Sequence, residues 1–98
     1  MSRVARSAAL AEVVTCQLMI RGLERQAIES PPRTLDAQRA AHEVRLRAYR
    51  AYARAAASAA PCYREGSAAR LLAEATATAL NMVVATMQRE LDRTTAGA

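Results

Sequence analysis

Apolar residues recur along this chain at intervals of three and four in three successive segments, the spacing of a helix that buries one side. In the first segment Ala9, Val13, Cys16, Ile20, Leu23 and Ala27 form one such seam. In the third, Leu72, Thr76, Leu80, Val83, Met87 and Leu91 fall on one side, and Arg70, Glu74, Asn81, Gln88 and Asp92 on the other. The segment between them, residues 34–60, contains no Pro or Gly and consists almost wholly of good helix formers. At about 100° per residue, its Arg39, Glu43, Arg47, Arg50 and Arg54 align as a single charged stripe. Apart from Arg45, the rest of that helix is apolar, small or His42. So wide an apolar arc predicts a middle helix covered by two partners.

Punctuation separates the three segments. Ser30-Pro31-Pro32-Arg33 ends the first, because Pro lacks an N–H and disfavours helical geometry in the residue before it. Thr34 suits the cap of the second helix, with Asp36 placed to favour its dipole. Residues 61–66 read as a connector, in which Pro61 fits equally well as the first turn of an early third helix. Ser67 is the better cap for that helix. Helices are therefore expected over residues 2–29, 34–60 and 67–93, with 94–98 frayed. Three helices of matching length, each roughly 40 Å long, joined by short loops, predict an all-α antiparallel three-helix bundle forming one domain over residues 1–98. Ala55, Ala56 and Ala57 should mark the closest approach of the middle helix to a neighbour.

Composition alters this picture in one respect. The chain has 98 residues and is 52% hydrophobic, but roughly half of that is alanine. It has no Phe or Trp, and only 17 residues are Val, Leu or Ile. Large side chains carry most of the transfer energy, at about 25 cal/mol per Å², so the core of one chain is thin. Association with a second chain is the expected remedy. A second apolar strip on the first helix, formed by Val4, Ala11, Val14 and Leu18 beside the small Thr15 and Gly22, has two readings: contact with the third helix, or a dimer or partner face.

The net charge of +5 and pI near 10.2 suggest a polyanion partner. All fourteen basic residues are Arg, however, and none is Lys, a bias that GC-rich coding also produces. Arg39, Arg47, Arg50 and Arg54 extend over roughly 22 Å of helix and are the best nucleic-acid candidates. Glu43 interrupts them, and no helix-turn-helix is evident. No stretch reaches the ~18 apolar residues of a membrane span. The basic, small-residue start superficially resembles a targeting peptide, but Glu12 interrupts it and the helical pattern runs on to Glu29. A bacterial cytoplasmic setting is the default expectation, and a leaderless secretion route is also compatible.

Few residues offer chemistry. Cys16 and Cys62 match no zinc or CxxC spacing, and a hairpin turning at Pro32 separates them by roughly 18 Å, beyond the reach of a disulfide. His42 is the sole histidine and has no recognisable co-ligand, so a core or rim imidazole with one hydrogen bond is expected. Glu12 falls within the apolar arc and must reach solvent or a donor; equal counting from the turn places Tyr52 level with it. The preferred reading of Tyr49 and Tyr52 is core volume with hydroxyls at the surface. Arg45 either snorkels at an edge or anchors a partner. On helix one, Arg21 is spaced to meet Glu24, and Arg25 to meet Glu29. No nucleophile with its base, phosphate loop or carboxylate pair occurs. The chain is therefore expected to be no enzyme and to bind no cofactor or metal.

The function these features favour is that of a small bacterial helical interaction module (an adaptor, small chaperone or regulatory subunit). Its expected partner is a second copy of itself or a larger protein, reached through Val14, Leu18, Gly22, Arg45, Tyr49 and Tyr52. The alternative is a basic nucleic-acid-associated regulator using the arginine stripe.

Overall fold

A computed structural model describes residues 2–96. Three α-helices account for nearly all of them: α1 (Arg3–Glu29), α2 (Leu35–Ala59) and α3 (Ala68–Ala96). They form the expected all-α antiparallel bundle, about 47 Å long and 24 by 19 Å across. Each helix begins at a hydroxyl cap. Ser2 Oγ accepts from Ala5 N–H, Thr34 Oγ1 from Ala37 N–H, and Ser67 Oγ from Arg70 N–H, at 3.0, 3.1 and 3.2 Å. Each bond satisfies one of the donors that a helix start otherwise leaves unpaired.

The connectors differ from the expectation at one place. Ala60–Cys62 form a 3₁₀ turn that prolongs α2, so Pro61 belongs to the end of the second helix and not to an early start of the third. Gly66 then takes a positive φ of 78° and reverses the chain into the Ser67 cap, a conformation that costs other residues more. The far end of α3 also departs from expectation. It stays helical through Ala96 instead of fraying at Thr94, and the hydroxyls of Thr94 and Thr95 donate to the carbonyls of Glu90 and Leu91. Residues 97 and 98 lie outside the described residues.

Helix α2 is the central element. Leu46, Ala48, Ala53, Ala55, Ala56 and Ala59 are all buried along it, a wide arc flanked by α1 on one side and α3 on the other. Of the alanine run, Ala55 and Ala56 are buried and Ala57 faces solvent. The α1 seam lies where the spacing places it, with Cys16 and Ile20 buried and Ala9, Val13, Leu23 and Ala27 half-buried. The α3 seam is rotated from the expected one. Ala77, Leu80 and Met87 are buried, with Ala73, Val84 and Leu91 half-buried beside them, while Leu72 and Val83 face outward. Both sets fit a three-four repeat. The alanines won because small residues let α3 settle closer against the alanine side of α2.

Among the described residues, α1 and α3 do not approach one another within 8 Å at any pair of Cα atoms. The arrangement is therefore α1 and α3 flanking α2, with Tyr49 and Tyr52 packed beside the Ala53, Ala56, Ala77 and Leu80 cluster. The second α1 strip is therefore not a contact with α3. Val4, Ala11, Val14 and Leu18 are all exposed and do not contact α3.

Candidate interaction surface

Polar residues between α1 and α2 form two cross-helix links. Arg45 Nε donates to Glu24 Oε1 at 2.9 Å, and the Tyr49 hydroxyl reaches the same oxygen at 3.4 Å. One helical turn further along, Gln17 Nε2 donates to the Tyr52 hydroxyl at 3.0 Å. Glu24 is thus turned inward to Arg45, and the Arg21 and Arg25 pairs expected along α1 are not among the ion pairs of the described residues. Glu12 is exposed and does not bond to Tyr52. Both tyrosine hydroxyls are engaged with α1 and not presented to solvent alone. Burial and then the Glu24 charge push the Tyr49 hydroxyl above its ordinary pKa, because both oppose a phenolate there. Burial, followed by the nearby Glu12 carboxylate, likewise raises the Cys16 thiol. No disulfide joins Cys16 to Cys62.

On the opposite flank, His42 Nε2 lies 3.0 Å from the Met87 carbonyl. A carbonyl only accepts, so Nε2 carries the proton, and the imidazole makes the single structural hydrogen bond its isolation predicts. The ring also lines a cavity of about 360 Å³ between the start of α2 and the end of α3, together with Arg39 and Glu90. Arg39 Nε is buried there without a partner. No group of three or more His, Cys, Asp or Glu residues that could hold a metal occurs among the described residues.

The arginine stripe lies on the exposed side of α2. Arg47 and Arg54 are exposed, Arg50 donates to Gln88 Oε1 of α3, and Arg39 is half-buried. One of the four is therefore bonded to α3, and Glu43 pairs with neither Arg39 nor Arg47 among the described ion pairs.

The six residues singled out for partner binding fall into two groups. Val14, Leu18 and Gly22 share the side of α1 turned away from its buried seam, and a Cβ added at Gly22 would meet nothing within 4 Å. Arg45, Tyr49 and Tyr52 are half-buried and bonded to α1. The fold therefore does not bring all six into one patch.

A second apolar surface, on α3, was not anticipated. Leu71, Leu72, Met82 and Val83 are exposed, at 60, 69, 67 and 41%. Between Leu71 and Gln88 the only charged residue is Glu74, and its carboxylate pairs with Arg70 on the polar flank at 3.1 Å. The sequence signal for this surface was that long uncharged run, which a single buried seam does not need. On α1 the interval from Ser7 to Ile20 is similar, with Glu12 its only charge. A shallow groove of about 200 Å³ lies between these two uncharged stretches, floored by Tyr52, Ala56 and Ala59 and walled by Val13 on one side and Leu72 and Thr76 on the other. No helix is long and apolar enough to cross a membrane among the described residues.

Comparison with known proteins gives no match: no family model, no curated protein and no solved structure aligns with the chain.

Proposed function

We propose that this protein is a helical interaction module that works by burying the outer faces of α1 and α3 against another polypeptide. One observation carries the reading. The middle helix is covered on both sides, while each outer helix presents uncharged apolar side chains, Val14 and Leu18 on α1 and Leu71 and Met82 on α3, that nothing in the fold covers. Scattered exposed hydrophobics are ordinary, but contiguous uncharged strips of this kind mark interaction surfaces. The cross-helix polar links serve to hold α1 in place.

A photo-crosslinking amino acid placed singly at Leu18, Met82 and Arg54 in the native host tests this reading. Discrete protein adducts from Leu18 or Met82, with none from Arg54, are the expected result. Equal labelling at all three positions, or protein adducts at none of them, would overturn it. Adducts confined to Arg54 and containing nucleic acid would establish the arginine stripe as the working surface instead.

A further inference from the structure

Resting on that reading, we infer that the occupant of the α3 surface is the α3 helix of a second copy, packed antiparallel about a two-fold axis at the level of Ala77. The outer side of α3 has its own heptad seam, distinct from the buried one. From Ala68 through Leu72, Ala75, Ala79, Met82 and Thr86 to Arg89, the steps alternate four and three without a break, as in a helix that packs along its length against another. All seven of these positions are exposed.

This seam is complementary to itself in one orientation. In an antiparallel two-fold pair, residues equidistant from the axis face one another. An axis at the level of Ala77 sets Leu72 of each copy against Met82 of the other, and Ala75 against Ala79. The small residues meet at the centre, where backbones pass closest, and the bulky ones meet further out, where the helices diverge.

Charge agrees with the same arrangement. The seam positions from Ala68 to Thr86 are all uncharged, so the pairing buries no charge. An antiparallel pair also sets the two α3 dipoles head to tail, whereas a parallel pair would align them.

The area is sufficient for a reversible dimer. Four large side chains, each exposing on the order of 100 Å², together with the alanines and threonines between them, approach the roughly 800 Å² per partner of a standard interface. Association that varies with concentration, and not an obligate dimer, is the consequence.

Sedimentation equilibrium on the full chain tests the pairing, with helicity followed by circular dichroism. Wild type should shift from monomer towards dimer as concentration rises, and Ala79→Arg should weaken the dimer about a hundredfold or more by burying an unpaired charge at its centre. Ala75→Glu should weaken it comparably, since each copy then buries an unpaired carboxylate opposite Ala79 of the other. Mixing the Ala75→Glu and Ala79→Arg chains should recover a heterodimer, because the two introduced charges then face each other, which a merely structural role for either residue would not produce. A dimer indifferent to both changes, or a mixture that associates no better than the single variants, overturns the α3 pairing. A wild-type chain that stays monomeric up to millimolar concentration overturns the second copy as occupant. In either case, protein adducts formed at Leu18 or Met82 in the host would leave the interaction reading intact, so the two failures can be told apart.

Discussion

Four alanines of α2 and three of α3 meet opposite fates. Ala53, Ala55, Ala56 and Ala59 are buried between two neighbouring helices. Ala75, Ala79 and Ala85 of α3 face outward. A methyl group contributes too little transfer energy to dictate its own burial, so the residues sharing its helix decide. On α2 the arginines occupy one side and leave the alanines to face inward. On α3 the charges flank only one edge and both ends, and two apolar seams compete for one neighbour. The seam that wins sets the large Leu80, Val84, Met87 and Leu91 beside Ala73 and Ala77 against α2, and the seam whose only large apolar side chains are Leu72 and Met82 stays outside.

The sharpest contrast is between leucines on the two seams of α3. Leu80, 8% exposed, should cost about 2–5 kcal/mol when truncated to Ala, whereas Leu72→Ala should cost well under 1 kcal/mol in the monomer. Urea unfolding of both variants at low concentration measures the difference, and equal losses would mean the seam assignment is wrong. Enlarging the alanines is a smaller effect of the same kind. Ala56→Leu should destabilise by about 1–3 kcal/mol through overpacking. Ala79→Leu should change monomer stability by no more than about 0.5 kcal/mol. A penalty at Ala79 as large as that at Ala56 would show that α3 is rotated from the orientation described.

The weakest effect concerns the link between α1 and α2. Arg45 and Glu24 are each more than a third exposed at the side chain, so solvent screens their pair, and Arg45→Ala should cost no more than about 1 kcal/mol. Tyr49 adds a pH dependence with a definite sign. Its folded pKa is raised above the unfolded value, so its contribution is complete below pH ~10 and is lost as pH rises through the folded pKa. Comparing the alkaline limb of thermal stability in wild type and Tyr49→Phe checks this, and the variant should show the shallower decline.

Much of the architecture was legible because it rests on strong local signals. Pro31 and Pro32 stop α1, Thr34 and Ser67 cap the helices that follow, and the α1 seam holds at every position. The isolation of His42 likewise foretold a single hydrogen bond. What eluded the sequence was rotation. Leu72 and Val83 are larger than Ala73 and Ala77 and drew the expected seam towards themselves, because hydrophobicity is scored per residue while close packing depends on the partner's shape. The same error hid the α3 outer surface. Partners of inward-turned polar groups were also out of reach. The bonds of Glu24 to Arg45 and Gln17 to Tyr52 depend on how two helices face each other, whereas Arg21 and Arg25 offered closer matches along one helix.

The separation of α1 from α3 bears on how the molecule comes apart. Only Cys16 and Ile20 are buried on α1, whereas α2 and α3 share Ala53, Ala56, Ala77 and Leu80 in one cluster. Detaching α1 leaves that cluster's helix pair in contact, while withdrawing α2 dismantles everything. The amide protons of α1 should therefore exchange with solvent before those of the remaining hairpin, and the strand of events in unfolding begins at the amino-terminal helix.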